Sequence, residues 1–411
     1  MSNHPPMNKW FLVAMLSVVV FLNYADRSVL AAVIPKVESD YGWTSADLGI
    51  ISSALLWVYA LLTPIGGYIG DKMSRKKLII ITLIIWSFTV FINPLASTFL
   101  MFTIIRAATG FGEAFYMPTA IGLISTYHDT TTRSRALSFH QVGVALGAMI
   151  GPLFAATLAE KYTWQYSFYI YGILGFILAA ILWKYLKDPS LQSADSLPAS
   201  KQKKIPLSKI FKIPSVSISA IGGAMGLFII WSLNTWLPAY LYEQFHMSLA
   251  EAAFYGAALY HVAVIGGVLL GGFVADALTK KTILARYYIW SVGMFLSAPF
   301  IYIIGTTSNV NIAIMGILGV GVAKGFIDSN QQAAPQDIAP VAYRSTIAGI
   351  VTFVGLLAAA GAPYSIGAYG MKVGLGHALS LVSILGLIGG FIFIVFRNVL
   401  RADILKNCDN H

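Results

Sequence analysis

Inside the first long apolar run of the chain an acid and a base stand side by side, in Phe21-Leu22-Asn23-Tyr24-Ala25-Asp26-Arg27-Ser28. The run extends from about Trp10 to Ile34, and crossing a bilayer takes roughly 20 apolar residues. A charge at such depth costs at least ~2.5–3.5 kcal/mol on insertion scales, so it pairs, faces a cavity or does work. Neighbours on a helix point about 100° apart. Asp26 and Arg27 therefore cannot satisfy one another, and each needs a partner on another helix. A second apolar run holds Arg106 and Glu113, two turns apart and on one face. A third holds Lys324 and Asp328, spaced i,i+4, which favours a pair along one face.

Two chemistries fit these residues. One is a set of buried structural ion pairs. The other is proton exchange: desolvation favours a carboxyl's neutral form and a nearby cation its charged form. A carboxylate that alternates between water and an arginine can bind and release a proton near neutral pH. Asp26 and Glu113 are the candidates for that role. Arginine's planar fork grips a carboxylate with two hydrogen bonds, which makes Arg27 or Arg106 the candidate for an anionic substrate group. Asp26 is eight residues short of the outer end of its run and Arg106 nine residues into its own from the same side. At ~1.5 Å per residue both lie roughly 12–13 Å deep and could face each other.

Tyr24, Tyr59, Gln141, Asn234, Asn330 and Gln331 are candidates to orient the rest of a substrate, with a helix-packing hydrogen bond equally open for each. His261 reads as structural. Trp231 with Trp236 and Tyr240 with Tyr242 line a cavity or form the interfacial aromatic belt, and the belt is preferred for the tyrosines. No metal-ligand cluster and no nucleophile–base spacing falls inside the apolar runs. His128 and Asp129 are adjacent in a loop without a third ligand. The expectation is no enzyme, no cofactor and no metal.

The elements that position these residues follow from composition. Of 411 residues 57% are hydrophobic and 11% charged, where a soluble domain carries about 25% charged. The chain reads as an all-α, multi-pass membrane protein, because lipid leaves backbone groups no partner but their own helix. One cysteine, Cys408, excludes a disulfide framework. The first apolar run lacks a cleavage pattern and reads as a retained span. Twelve spans are expected, near 10–34, 47–70, 77–93, 97–127, 136–158, 164–185, 215–240, 250–275, 285–305, 310–336, 346–369 and 376–398.

The net charge of +10 comes from 27 Lys and Arg, and their placement argues against nucleic acid. Loops on the N-terminal side hold 21, the opposite loops three (Lys36, Lys161, Lys372), and three lie inside spans (Arg27, Arg106, Lys324). By the positive-inside rule both termini are cytoplasmic. The expected location is a bacterial inner membrane. Residues 187–212, rich in Ser, Pro and Lys, read as a cytoplasmic linker between two six-helix halves, 1–186 and 213–411. A short basic surface helix around Leu207–Phe211 would favour anionic headgroups, and a plain flexible linker is the equal alternative.

The halves repeat. Gly66-Gly67-Tyr68-Ile69-Gly70-Asp71-Lys72-Met73-Ser74-Arg75-Lys76-Lys77 follows span two, and Gly271-Gly272-Phe273-Val274-Ala275-Asp276-Ala277-Leu278-Thr279-Lys280-Lys281 follows span eight. Internal symmetry of this kind is typical of secondary transporters. Twelve spans, the linker and this repeated loop resemble the major facilitator superfamily. The resemblance implies a gating role for Asp71 and Asp276, with Arg75 and Lys280 nearby. It also implies a central cavity lined by spans one, four, seven and ten. Asn23-Tyr24-x-Asp26-Arg27 with Arg106-x-x-x-Gly110-x-Gly112-Glu113-Ala114 is similar to two groups within it. One is the anion:cation symporter family, which carries sugar acids and other organic anions with protons. The other is the Spinster-like group, which moves lysolipids and similar amphiphiles. Trp164-x-x-x-Phe168 and Asp188-Pro189 look more like the symporters, whereas Arg344-Ser345-Thr346-Ile347-Ala348 looks like either. The expected partners are a small anionic substrate, protons and membrane lipid, with the chain a monomer.

Overall fold

Glycine sets the closest helix contacts. The computed structural model describes residues 8–128, 132–187, 213–338 and 344–408, without the side chains at 71, 72, 134, 344, 345, 407 and 408. The expected surface helix at Leu207–Phe211, most of the linker, Asp129, the Asp188-Pro189 pair and the side chains of Asp71, Arg344 and Ser345 lie outside the described residues.

Two compact units divide the chain: residues 1–41 with 54–201, and residues 42–53 with 202–411. The first holds α1 (Lys9–Arg27), α2 (Val29–Tyr41), most of α3 (Ser45–Lys72), α4 (Arg75–Ile92), α5 (Phe99–Ala114), α6 (Tyr116–Tyr127), α7 (Arg133–Lys161) and α8 (Gln165–Tyr185). Side chains fix where several begin. Asn8 accepts the N–H of Trp10 at the start of α1, and Thr98 that of Met101 at the start of α5. Such caps satisfy donors that a helix start leaves open.

In this unit α1 lies hard against α7. A Cβ on Gly143, Gly147 or Gly151 would sit 2.5 Å from Ser17 O, 2.3 Å from Phe21 O and 2.4 Å from Ala25 Cα respectively. A Cβ there would press on the backbone of α1, so the two helices would have to shift apart to admit one, and the close fit holds α1 in one rotation. On α5, Gly110 meets Leu55 O of α3 and Gly112 meets Trp86 of α4. Trp86 and Trp164 are among the largest side chains fully buried in the core.

The second unit holds α9 (Pro214–Phe245), α10 (Leu249–Ala253), a π-helical stretch (Phe254–Leu259), α11 (Tyr260–Thr279), α12 (Ala285–Thr306), α13 (Val310–Gln331), α14 (Ala334–Asp337), α15 (Arg344–Val373), α16 (Leu375–Val395) and α17 (Arg397–Cys408). A capping box of Ser248 and Glu251 starts α10. Gly321 and Gly325 bring α13 against α11, and Gly316 and Gly319 bring it against α12. The start of α3 belongs here: Ser53 Oγ accepts the N–H of Tyr364 at 3.2 Å.

Among the described residues eleven helical stretches are long and apolar enough to cross a membrane. The twelfth segment is α5 with α6, broken at Phe115 into pieces of 16 and 12 residues. The architecture is all-α, as expected. Two expectations need correction. The first span does not end near Ile34: the helix continues to Tyr41, carrying Pro35, Lys36, Glu38 and Asp40 at its polar end. Nor does Tyr240 stand in an aromatic belt. It is 2% exposed and its hydroxyl donates to Ile304 O at 2.7 Å. Trp236 is likewise buried, donating to Pro363 O at 2.9 Å.

Candidate functional site

The charged residues of α1 and α5 meet inside the first unit. With α7 occupying the Ser17, Phe21 and Ala25 face of α1, Asp26 and Arg27 are turned elsewhere, and Arg27 reaches α5. Its Nε donates to Glu113 Oε2 at 2.7 Å and its Nη2 lies 2.5 Å from the same oxygen. Nη2 also donates to Asn23 Oδ1, one turn back on α1, at 3.3 Å. The guanidinium carbon stands 4.4 Å from the ring centre of Tyr59 and 5.0 Å from that of Tyr24. Aromatic faces attract a cation at such distances. Arg27 is thus enclosed by acid, amide and two rings.

Arg106 is placed differently. It is 3% exposed, and its Nη2 donates to the backbone oxygen of Arg27 at 3.3 Å. Its Nε and Nη1 have no hydrogen-bond partner among the described residues. The same is true of Asp26 Oδ1, Glu113 Oε1 and Asn23 Nδ2. No hydrogen bond joins Asp26 to Arg106 among the described residues, although each lies within electrostatic reach of the other. A buried donor without a partner carries the full cost of its desolvation. The cluster therefore presents two guanidinium nitrogens, Nε and Nη1, and two carboxylate oxygens ready to be bonded.

Both helices are interrupted at the cluster. α1 gives way to α2 at Ser28, whose hydroxyl donates to Tyr24 O at 2.8 Å. α5 gives way to α6 at Phe115. Beyond that turn Tyr116, fully buried, donates from its hydroxyl to Leu16 O at 2.7 Å and lies 3.0 Å from His140 Nε2 on α7. Sequence reasoning missed this contact, since no spacing leads from 116 to 140. It also gave Asn23 no role of its own, although its i,i+4 relation to Arg27 was a usable signal.

The remaining candidates are dispersed. Gln141 is exposed on α7. In the second unit Lys324 and Asp328 form an ion pair along α13. Asn330 Nδ2 donates to Phe326 O at 3.1 Å and Ser329 Oγ at 3.0 Å, while Gln331 Oε1 and Asn234 Oδ1 have no partner among the described residues. Arg75 Nη1 donates to Gly122 O at 2.9 Å and Thr126 Oγ1 at 2.6 Å. Asp276 and Lys280 are exposed, with no ion pair between them among the described residues. His261 Nδ1 lies 2.8 Å from Ala257 O, and His128 Nδ1 lies 3.1 Å from Thr132 Oγ1. No group of three or more His, Cys, Asp or Glu stands ready to hold a metal among the described residues.

Residues 16–363 match the family model described as Major Facilitator Superfamily. The chain belongs to that superfamily. It is accordingly a multi-pass membrane transporter and not an enzyme. Among similar proteins is the D-galactonate transporter of Escherichia coli, 25% identical over 422 residues that cover 95% of this chain and 96% of that one. Another is the chloroplastic ascorbate transporter of Arabidopsis thaliana, 28% identical, covering 85% of this chain and 68% of its own length. Among solved structures, a bacterial homologue of the human lysosomal transporter Spinster superposes with a TM-score of 0.79. It is 19% identical and 98% of each chain is covered, a likeness that carries the fold alone.

Proposed function

We propose that this superfamily member is a proton-coupled symporter of a small organic anion, a sugar acid or related carboxylate, working by alternating access. The observation that carries the reading is the pair of unpartnered guanidinium nitrogens, Nε and Nη1, on buried Arg106. Arg27 is already held by Glu113, so Arg106 is the guanidinium with donors to give. A carboxylate is the acceptor that a guanidinium donor holds most strongly, through charge-assisted hydrogen bonds.

The proton side of the reading rests on charge. Asp26, Glu113, Arg27 and Arg106 are all buried within one cluster. With both acids ionised the four groups sum to no net charge, and each proton taken up leaves one excess positive charge among them. An anion then restores the balance, so protons and anion favour each other's binding, which is the linkage a symporter uses. Tyr24 and Tyr59 frame Arg27, and Gln141, Asn234, Asn330 and Gln331 are proposed to contact the rest of the substrate. Asp71, Arg75, Asp276 and Lys280 are proposed to gate the cycle. The site is placed in a bacterial inner membrane with both termini cytoplasmic, in a monomer.

The similarity to transporters of galactonate and ascorbate supports the substrate class. The Asn23-Tyr24-x-Asp26-Arg27 motif, similar to the Spinster-like group as well, keeps an amphiphile, such as a lysolipid, as the competing cargo. A thermal-shift screen of purified protein separates them. A ligand at a hundred times its Kd stabilises by about 2.7 kcal/mol. Sugar acids are expected to raise the melting temperature and neutral sugars to leave it unchanged. Stabilisation by lysolipids alone would overturn the reading.

A further inference from the structure

The short helix α17 is held at the level where two spans end. It starts just past α16, with only Phe396 between them, and packs on α16 and α9. Both of those helices are long and apolar enough to cross a membrane. Leu400 and Ile404 are the apolar residues that α17 buries. Asp403, on the same side, accepts the N–H of Ser215 at 3.2 Å and its hydroxyl at 2.7 Å. Ser215 is the second residue of α9, and Ile213 before it gives that helix no side-chain cap. The acid of α17 thus satisfies a donor at the start of a spanning helix, where negative charge is favoured. Pinned to the end of one span and the start of another, α17 stays at the boundary between apolar core and headgroups.

The face that α17 turns away from the protein is of mixed character. Arg397, Arg401 and Leu405, spaced i, i+4 and i+8, are exposed along one stripe. Leu405 is 44% exposed, as is Phe396 just before the helix. Neither arginine makes a hydrogen bond or an ion pair among the described residues. Lys406 adds a third cation, and Asp403, 4.0 Å from it, is the one acid of the helix. A helix at a bilayer surface uses such a stripe on both counts: leucine enters the acyl boundary while the guanidinium groups stay among the phosphates. The positive-inside rule accounts for basic residues near the end of a span. It does not account for their alignment with an exposed apolar side chain.

We infer that α17 is a docking surface for anionic phospholipid headgroups, held by Arg397 and Arg401. Phosphate oxygens satisfy a guanidinium with charge-assisted hydrogen bonds. An anionic lipid offers its phosphate without a cation of its own, whereas the choline of a zwitterionic headgroup competes with the arginines. Basic residues beside a span are drawn to an anionic leaflet for the same reason. A bound headgroup keeps α17 on the membrane surface, and with it the cap that Asp403 places on α9.

Hydrogen exchange reads α17 locally. The whole protein is placed in nanodiscs of phosphatidylcholine, with or without phosphatidylglycerol, and amide exchange in α17 is followed by mass spectrometry. A basic residue at an anionic surface is worth about fivefold in affinity, so two together allow roughly 25-fold. Phosphatidylglycerol is expected to slow exchange in wild-type α17 by roughly tenfold or more, and high salt to remove the effect. The double variant Arg397→Gln, Arg401→Gln should lose the slowing. Arg397→Lys, Arg401→Lys keeps both charges and should keep most of it. No slowing in wild type, or equal slowing in the glutamine variant, overturns the inference. So does a lysine variant that behaves like the glutamine one, which would trace the effect to packing. Equal slowing by inorganic phosphate in phosphatidylcholine discs would mark a free-anion site and overturn it too. If the glutamine variant does not fold, wild type with and without phosphatidylglycerol, at low and high salt, still decides.

Discussion

Arg27 holds a single oxygen of Glu113 with two nitrogens, Nε at 2.7 Å and Nη2 at 2.5 Å, and leaves the other oxygen of that carboxylate unbonded among the described residues. The pair crosses from α1 to α5, so it bears on stability as well as on chemistry. Removing one partner of a buried pair typically costs about 3–5 kcal/mol, whereas replacing both by apolar groups is often neutral. Glu113→Ala is therefore expected to lower the unfolding temperature in detergent by several degrees. The double variant Arg27→Met, Glu113→Leu should recover most of that loss and yet fail to transport. A single variant as stable as wild type would contradict this account of the pair.

Asp26→Asn is expected to fold and to lose proton-driven accumulation while keeping exchange of substrate across the membrane. Asp26 is 1% exposed and its Oδ1 has no partner among the described residues, and an amide has nearly the shape of the carboxyl it replaces. The neutral amide stands in for a permanently protonated acid. Accumulation against a gradient by this variant, measured in vesicles with an imposed pH difference, would remove Asp26 from the coupling.

Gly151→Val tests whether the α1–α7 contact positions the cluster. A Cβ there would lie 2.4 Å from Ala25 Cα, next to Asp26. Overpacking of this kind costs typically about 1–3 kcal/mol. The expected outcome is a folded protein of lower stability with weakened substrate affinity. An unchanged affinity would show that the rotation of α1 is set elsewhere.

Asp71→Ala is expected to slow transport without loss of equilibrium affinity, as a gating role requires. Initial uptake rates and binding measured on the same preparation separate the two. A large loss of binding would assign the loop to the substrate site.

Much of the fold was legible because spans announce themselves by long apolar runs, and charges inside them stand out against that background. The pairing was not. Whether Asp26 or Arg27 met α5 depends on the rotation of α1, which Gly143, Gly147 and Gly151 fix by contacts invisible in a linear reading. Depth allowed Asp26 and Arg106 to face each other, and each lies within electrostatic reach of the other, but the bonded pair, Arg27 with Glu113, could not be read from depth. The C-terminal end of the first helical stretch was hidden because Lys36, Glu38 and Asp40 look like loop, although they continue it to Tyr41. Tyr240 looked interfacial from its place near a helix end; a carbonyl of α12 buries it instead.

The central claim is that Arg106 receives the substrate's carboxylate and that protons tighten its grip. Substrate affinity measured from pH 5 to pH 8, in wild type and in Arg106→Lys, tests it most directly. Protonation adds positive charge to the cluster, so wild-type affinity is expected to rise as pH falls, approaching about tenfold per pH unit for one linked proton. Arg106→Lys keeps the charge but not the fork, and losing one charge-assisted hydrogen bond costs about 1.5–3 kcal/mol. Its affinity should therefore fall by roughly tenfold or more. Affinity independent of pH, together with a lysine variant that binds like wild type, would contradict the account and move the assignment to the amphiphile carrier.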